Sequence, residues 1–321
     1  MSEPAFRLHG RRVWVAGHAG MLGSALVRRL EGAGAEVLTV ARADLDLRRQ
    51  DAVEAWLDRH RPDAVFLAAA TVGGILANDT RPAEFLYDNL MIEANVVEGA
   101  RRAGVARLMM LGSSCMYPRE AAQPIREDSL LTGPLEPTNQ WYAVAKIAGL
   151  KLAQAYRRQH GCDFVTAVPT NLFGPGDNFD PAASHVVPAL IRKVEEARAA
   201  GRDEIGIWGT GTPEREFLYV DDAADALVFL MERHSGEDPV NIAGGSTVTI
   251  RRLAELVAAA CGWTGRIVCD VTRPDGMPRK ALDARHLLAM GWRPQVGLEE
   301  GLSRTVAWYR RTGGLRGGAR P

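Results

Sequence analysis

The sequence predicts an α/β fold: a Rossmann-type doubly wound parallel sheet with a smaller α/β lobe. Strand patterns alternate with amphipathic helix patterns through the first half of the chain, as they do when helices connect parallel strands. A glycine-rich turn separates the first strand pattern from the first helix pattern. Residues 64–70 are apolar without a break, which is typical of a strand covered on both faces. These observations indicate a sheet buried between two layers of helices.

The glycine-rich turn predicts a dinucleotide-binding site. It follows a strand predicted at residues 12–16, reads GHAGMLG at 17–23, and leads into a helix. Gly17 allows a tight turn, Gly20 lets the backbone approach a pyrophosphate, and Gly23 lets the helix pack closely. The N-terminus of that helix then presents N–H groups to the phosphates. The alternative is a glycine-rich turn that binds no ligand.

The end of the second strand favours NADP over NAD. After the strand predicted at residues 36–40, Arg42 stands where an NAD-binding fold usually has an acidic residue. A guanidinium can bind a ribose 2′-phosphate, and the first acid, Asp44, comes only two residues later. Alternatively, Arg42 is a solvated loop residue.

The remaining pattern predicts how the chain is divided. Helices are predicted at 50–59, 83–103 and 142–160, and strands end at Gly112 and at Val168. The regular alternation weakens from Pro169 onward, where a long turn-rich segment begins. We expect residues 1–168 to form the cofactor domain, with 217–243 returning to it. We expect 169–216 and 244–312 to form a ligand-binding lobe, and 313–321 to be a disordered tail.

Two later helices carry predicted N-caps. Asp221 and Asp222 precede the apolar pattern that runs to Arg233, and Thr249 precedes the next one. Side-chain oxygens of these residue types accept hydrogen bonds from the free N–H groups of a helix N-terminus.

Tyr142 and Lys146 are the strongest candidates for chemistry. Their four-residue spacing places both on one face of a helix. An ammonium group beside a phenol lowers the phenol pKa from its free value of about 10. Ser113, at the end of a strand, can hydrogen-bond a substrate oxygen held near that phenol. The set suits proton exchange at a carbonyl or alcohol while a cofactor moves hydride. The alternative is a packed aromatic ring beside a solvated amine.

Composition excludes several classes of function. The chain has 321 residues, zero formal net charge and a pI near 7.1, which does not favour binding to nucleic acid or to a membrane surface. No signal-peptide or membrane-span pattern is present, so we expect a cytoplasmic protein. The four cysteines show no metal-ligand spacing, so we expect reduced thiols and no metal.

Several stretches together resemble the extended short-chain dehydrogenase/reductase family. They are AGHAGMLG at 16–23, LGSSCMYP at 111–118, EPTN at 136–139, YAVAKIAG at 142–149, PTNL at 169–172, SHVVP at 184–188 and PDG at 274–276. The resemblance extends over about residues 12–309. It implies a cytoplasmic, homodimeric, NADPH-dependent oxidoreductase and isomerase that acts on a GDP-sugar. It further implies 3,5-epimerisation and 4-reduction of GDP-4-keto-6-deoxy-D-mannose.

The resemblance also implies roles for individual residues. Ser113, Tyr142 and Lys146 would carry the reduction, and Cys115 and His185 the epimerisation. The cofactor would be bound by Gly17, His18, Gly20, Met21, Leu22, Gly23, Arg42, Ala69, Leu111, Gly112, Ser113, Ser114, Lys146, Pro169, Asn171, Leu172 and His185. The nucleotide sugar would contact Asn171, Lys193, Trp208, Arg215, Arg266 and Asp275. Dimerisation is implied through the helices predicted at 83–103 and 142–160.

Elementary chemistry agrees with this division of roles. A 4-keto group acidifies the hydrogens at C3 and C5, so inversion needs a base on one face and an acid on the other. A thiol and an imidazole, with free pKa values of about 8.5 and 6.5, both exchange protons near neutrality. Simpler roles are a packed thiol for Cys115, a helix cap for His185 and a core position for Trp208. Lys193 and Arg215 are alternatively surface charges.

The same residues are compatible with other functions. A nucleotide-sugar 4-ketoreductase or epimerase could retain Cys115 and His185 without using both. A catalytically silent NADP-binding sensor is disfavoured because Tyr142 and Lys146 are both present. A 4,6-dehydratase is disfavoured because no acidic pair follows Ser114. Ala19 stands where relatives often carry Arg, so NADP preference depends on Arg42.

Overall fold

The large sheet organises the protein. The computed structural model describes residues 5–181, 183–273 and 275–314, leaving out the side chains of 75 and 76, so the predicted tail beyond residue 314 lies outside the described residues. Six strands lie in the order β2-β1-β3-β4-β5-β9, and every neighbouring pair is parallel. The strands are β1 (Arg12–Ala16), β2 (Glu36–Leu38), β3 (Ala64–Leu67), β4 (Arg107–Leu111), β5 (Asp163–Pro169) and β9 (Val240–Ile242).

Helices cover both faces of this sheet, which confirms the predicted doubly wound fold. One face packs α1 and α7, and the other packs α2, α4 and α5. Apolar side chains fill both interfaces because parallel strands are buried on both sides. The helices of the described ranges are α1 (Met21–Gly32), α2 (Gln50–His60), α3 (Ile75–Thr80), α4 (Pro82–Arg102), α5 (Gln140–His160), α6 (Val186–Ala199), α7 (Val220–Arg233), α8 (Ile250–Cys261), α9 (Arg285–Ala289) and α10 (Leu298–Thr312).

Shorter strands form a second α/β layer around α6, α8 and α10. A four-stranded arrangement contains β6 (Asn171–Phe173), β8 (Glu214–Tyr219), β10 (Thr247–Thr249) and β12 (Arg279–Lys280). A separate parallel pair consists of β7 (Glu204–Trp208) and β11 (Arg266–Asp270). The three helices and all of these strands except β12 share one apolar cluster. β8 pairs with strands of this layer, although its Leu218 packs in the apolar cluster of the large sheet, and the chain returns to the large sheet through α7 and β9.

One predicted helix cap is confirmed and one is wrong. The Thr249 side chain accepts a hydrogen bond from the Arg252 N–H at 3.1 Å. α7 instead begins after Tyr219 with no side-chain cap. The Asp222 carboxylate accepts from the backbone N–H groups of Gln295 and Val296, at 3.1 and 2.8 Å. Asp222 therefore connects the loop before α10 to α7, which packs on the large sheet.

The carboxyl edge of the large sheet faces the second layer. β5 ends at Pro169, and the chain continues at once into β6, which pairs with β8. A bridge between Ile125 and Leu282 joins the loop after β4 to the segment after β12. Ligand sites of open α/β sheets lie at this edge. Within the described ranges, every helix is too short or too polar to cross a membrane.

Candidate active site

The glycine turn after β1 is shaped to receive a phosphate. Gly17 has φ +92°, and a Cβ there would lie 2.6 Å from the Ala69 nitrogen, so only glycine fits against the end of β3. A Cβ on Gly23 would lie 2.0 Å from the Gly17 carbonyl oxygen. α1 therefore rests directly on the turn. Gly20 is the N-cap of α1, and the first turn of that helix carries no acid, so its positive end is free to attract an anion.

The other predicted cofactor residues end neighbouring strands. Arg42 follows β2 and is exposed. Leu111 ends β4, and the next residue, Gly112, donates its N–H to the Ala167 carbonyl in β5 at 2.8 Å. Pro169 ends β5. Because β1, β3, β4 and β5 are adjacent in the sheet, these positions line one edge.

Helix α5 brings the proposed reductive residues together. Lys146 Nζ lies 5.8 Å from the centroid of the Tyr142 ring. The Lys146 side chain is 2 % exposed, and its ammonium pairs with Glu93 of α4 at 2.9 Å. Tyr142 keeps part of its surface exposed and contacts Phe85 edge to face. The ammonium group is therefore locked in the protein interior, whereas the tyrosine as a whole residue is only partly buried.

The acidity of Tyr142 differs from the sequence-based expectation. The Lys146 charge lowers the phenol pKa as predicted. Removal from solvent raises it more, and the charges at Cys115 and Glu93 add to that, so the pKa of Tyr142 is about 12. The phenol is therefore fully protonated at neutral pH. This suits a proton donor rather than a base.

Cys115 lies beside Ser113 in the segment after β4. A turn of 3₁₀ helix, Ser114–Met116, folds the cysteine back so that its Sγ donates to the Ser113 Oγ at 3.2 Å. The Cys115 side chain is buried, and burial raises its pKa, while Lys280, Ser113 and Lys146 lower it. The thiol therefore stays protonated in this state and shares a hydrogen bond with the reductive set.

His185 begins α6 but does not act as its cap. It occupies the N-cap position, and its side chain makes no capping hydrogen bond. The residues before it are held against the loop after β3, since the Gly74 N–H donates to the Ala183 carbonyl at 3.0 Å. His185 is exposed as a whole residue, but protein surrounds the imidazole closely enough that desolvation lowers its pKa. The simpler role as a helix cap is therefore wrong.

Three cations of the second layer are partly removed from solvent. Desolvation lowers the pKa values of Lys193, Arg215 and Lys280. Arg215 and Lys280 are register partners across β8 and β12, and the charge of Arg215 lowers the pKa of Lys280 further. Within the described ranges, none of the three forms an ion pair with an acid. Desolvated cations, of which Arg215 and Lys280 also repel each other, favour the arrival of an anion.

The Trp208 indole is available for stacking. It is 67 % exposed at the end of β7, which excludes the core position, and the Arg273 guanidinium lies 5.2 Å from its ring centroid. Asp275 accepts from the Thr210 N–H at 2.9 Å and the Thr210 hydroxyl at 2.7 Å, so it shapes the turn after Trp208. The structure does not bring Arg266 to this group. Arg266 pairs with Glu204 at 2.8 Å at the opposite end of the β7–β11 pair, so its role stays a prediction.

The sequence of residues 13–243 matches the model of the NAD dependent epimerase/dehydratase family. The chain belongs to this family. Its Rossmann sheet, glycine turn and Tyr-x-x-x-Lys helix are the parts that the match contains.

Relatives within the family include well-matched sugar-nucleotide enzymes. The chain is 56 % identical to a GDP-L-fucose synthase of Sinorhizobium fredii, over 94 % of this chain and 96 % of the relative. It is 48 % identical to the GDP-L-fucose synthase of Escherichia coli, over 93 % of this chain and 96 % of the relative. A solved GDP-L-fucose synthetase from Naegleria fowleri, bound to NADP, has a TM-score of 0.90 at 29 % identity, covering 97 % and 96 % of the two chains.

A solved C4 reductase has a similar structure. MlghC, a GDP-mannoheptose C4 reductase from Campylobacter jejuni with NADP bound, has a TM-score of 0.84 at 32 % identity. The match covers 94 % of this chain and 98 % of MlghC. The same scaffold therefore accompanies more than one sugar-nucleotide activity.

Two residues of this epimerase/dehydratase family member were not predicted from the sequence. Glu93 lies in the middle of α4, where its neighbours predict a packed helix. Lys280 lies after the PDG motif in a strand of only two residues. Each is brought to the site by a partner distant in the sequence, Lys146 for Glu93 and Arg215 for Lys280. No local pattern marks either one.

Proposed function

We propose that this chain is an NADPH-dependent epimerase/reductase that converts GDP-4-keto-6-deoxy-D-mannose into GDP-L-fucose. The observation that carries the proposal is a hydrogen bond at the end of β4. Cys115, one residue of the pair proposed for epimerisation, donates to Ser113, which we group with Tyr142 and Lys146 for the reduction. The identities to GDP-L-fucose synthases over nearly the whole chain support the assignment.

The reduction needs a proton at O4 as hydride reaches C4. When bound, NADPH supplies that hydride. Tyr142 donates the proton, and its high pKa keeps the proton in place until negative charge develops on the substrate oxygen. The Ser113 hydroxyl hydrogen-bonds the same oxygen and fixes its orientation. Lys146 keeps a positive charge near the developing alkoxide.

The epimerisation uses the same ketone. Removing the C3 or C5 hydrogen gives an enolate whose oxygen the Tyr142 hydroxyl stabilises. Cys115 and His185 then act as acid and base on opposite faces of the sugar ring. The pKa of Cys115 is raised and the pKa of His185 is lowered, so the neutral thiol is the acid and the neutral imidazole is the base.

The rest of the nucleotide sugar fits the second layer. Lys193, Arg215 and Lys280 lack acidic ion-pair partners within the described ranges, and a diphosphate supplies the missing anions. The exposed Trp208 offers a flat apolar face for a purine. The glycine turn and the N-terminus of α1 would hold the cofactor pyrophosphate, and Arg42 the 2′-phosphate.

Reaction in D2O tests the proposed function. Incubation with GDP-4-keto-6-deoxy-D-mannose and NADPH is expected to consume NADPH and to give a product with deuterium at both C3 and C5. Each deuterium marks a proton that the enzyme removed and replaced from solvent. Mass spectrometry and NMR of the product read the positions. Failure to oxidise NADPH with this substrate would contradict the proposal.

A plain GDP-sugar 4-ketoreductase is the second candidate. It is favoured by the buried, protonated state of Cys115 and by the likeness to solved C4 reductases. The D2O reaction separates the two candidates. NADPH oxidation without deuterium at C3 or C5 identifies the plain reductase.

We also propose a homodimer formed through α4 and α5. Tyr87 on α4 and Trp141 and Val144 on α5 expose 61 %, 43 % and 43 % of their surface, and these helices pack side by side. A second copy would cover this apolar face. Trp141→Glu is expected to convert a dimer into monomers in analytical ultracentrifugation, whereas Trp208→Glu on the second layer leaves the mass unchanged.

Free thiols at all four cysteines support a reducing, cytoplasmic setting for the enzyme.

A further inference from the structure

Glu93 is a buried carboxylate that the reaction scheme above does not use. It lies in α4 and is 1 % exposed, with its oxygens shielded from solvent. Within the described ranges, its one ion-pair partner is the Lys146 ammonium, at 2.9 Å. Burying a carboxylate with a single ion-pair partner costs free energy, so stability alone does not account for this pair.

The space for this carboxylate exists because residue 149 is a glycine and has no side chain. A Cβ on Gly149, three residues after Lys146 in α5, would lie 2.2 Å from Glu93 Oε2 and 2.5 Å from Met110 Cε. Any larger residue at 149 would push Glu93 away from the ammonium. Glycine in the middle of a helix costs about 1 kcal/mol relative to alanine. Glycine at position 149 therefore leaves space for Glu93, although it stabilises the helix less than alanine would.

We infer that Glu93 is a positioning residue of the reductive site: its carboxylate holds the Lys146 ammonium, charged and fixed, within reach of Tyr142. The reductive set thus has four members, Ser113, Tyr142, Lys146 and Glu93, of which Glu93 acts only through Lys146. The catalytic role of Glu93 rests on the proposed function, to which it adds one residue.

The charges around Lys146 explain why a partner is needed. Burial alone lowers the pKa of Lys146, whereas Glu93, Tyr142 and Cys115 raise it, and the net shift is upward. Glu93 is the largest of these upward influences. The other charged group of this region, Lys280, acts on Cys115. Without Glu93, the buried amine would lose its proton at a lower pH, and Tyr142 would lose the positive charge beside it.

The small number of lysines allows a direct test on the whole protein. The chain contains four: Lys146, Lys151, Lys193 and Lys280. Protein labelled with ¹³C at the lysine ε position gives four signals, and Lys146→Met identifies the one of interest. In the parent protein, this signal is expected to stay that of a charged amine beyond the ordinary lysine pKa. In Glu93→Gln, it is expected to titrate at least about one pH unit lower.

Enzymatic pH profiles supply the second readout. In Glu93→Gln, the alkaline loss of kcat is expected to move to lower pH, with about tenfold less activity than the parent at the alkaline end. Glu93→Asp retains a carboxylate and is expected to restore part of the shift. Gly149→Ala keeps both charges but displaces Glu93, so it is expected to move the Lys146 titration in the same direction.

Matched controls separate positioning from general stability. Glu195 is another buried carboxylate, paired with Arg310 at 2.7 Å and Arg198 at 3.1 Å on the far side of the second layer. Glu195→Gln is expected to lower thermal stability without moving the Lys146 signal. Gly99→Ala crowds α4 against Leu57 and serves as the control for Gly149→Ala.

An unchanged Lys146 titration in Glu93→Gln overturns the inference, as does an equal shift in Glu195→Gln. If Glu93→Gln does not fold, Glu93→Asp and Gly149→Ala decide in the same measurement. The ¹³C titration needs neither substrate nor NADPH. An inactive parent enzyme would therefore refute the proposed function while leaving the result for Glu93 standing on its own.

Discussion

Tyr142→Phe is expected to lower NADPH oxidation by about a thousandfold or more. The substitution removes only the phenol oxygen, so the ring keeps its contact with Phe85 and its place near Lys146. What is lost is the proton donor at the substrate oxygen, and general acid catalysis is worth about 10² to 10⁴ in rate. Loss of the hydrogen bond to the developing oxyanion adds to this. Stopped-flow absorbance of NADPH with saturating substrate measures the effect.

The matched control is Tyr156→Phe, on the same helix about four turns away. Tyr156 donates its hydroxyl to Glu98 at 2.8 Å, remote from the end of β4. Its replacement is expected to leave NADPH oxidation unchanged. NADPH affinity is expected to survive in Tyr142→Phe, since the glycine turn and Arg42 remain. Parent-like turnover in Tyr142→Phe would exclude the phenol as the proton donor.

Cys115→Ser is expected to separate the two halves of the reaction. Serine keeps the size and the hydrogen bond to Ser113, but its hydroxyl exchanges protons far less readily than a thiol near neutrality. Deuterium incorporation at C3 and C5 should fall by about a hundredfold or more. Tyr142 and Lys146 are untouched, so hydride still reaches C4. A sugar that is reduced at C4 but not inverted should therefore accumulate.

Cys162→Ser is the control, because Cys162 lies only partly buried before β5. It should give the doubly inverted product at the parent rate. Mass spectrometry and NMR of the products from both variants in D2O distinguish the outcomes. Doubly inverted product from Cys115→Ser at the parent rate would show that the thiol takes no part in inversion.

The parts of the fold and site that the sequence predicted well are those that local physics decides. The glycine turn was predicted because φ and close packing at Gly17 and Gly23 require glycine, and the structure shows both contacts. Tyr142 and Lys146 were placed on one helix face because helical periodicity fixes their spacing. The doubly wound sheet followed from the alternation of elements, and the comparisons with solved structures confirm it.

The parts that were not predicted depend on contacts between distant segments. Asp222 has the residue type and position of a helix cap, yet its carboxylate is used by Gln295 and Val296, more than 70 residues away. The pKa of Tyr142 depends on burial, which cannot be read from the residue spacing. Glu93 and Lys280 show no local signal at all, because α4 meets α5 and β12 meets β8 only in the folded protein.

The pairing of β12 with β8 has a consequence for the order in which the enzyme matures during translation. The glycine turn, α1 and every strand of the large sheet precede Lys280 in the chain. The strand that brings Lys280 beside Arg215 is made about 40 residues later than β9. A nascent chain can thus contain every strand of the large sheet while it still lacks Lys280. Leu287 and Trp292, which follow Lys280, belong to the apolar cluster packed on that sheet, so a stop shortly before residue 280 would remove part of this core as well as one wall of the proposed sugar site.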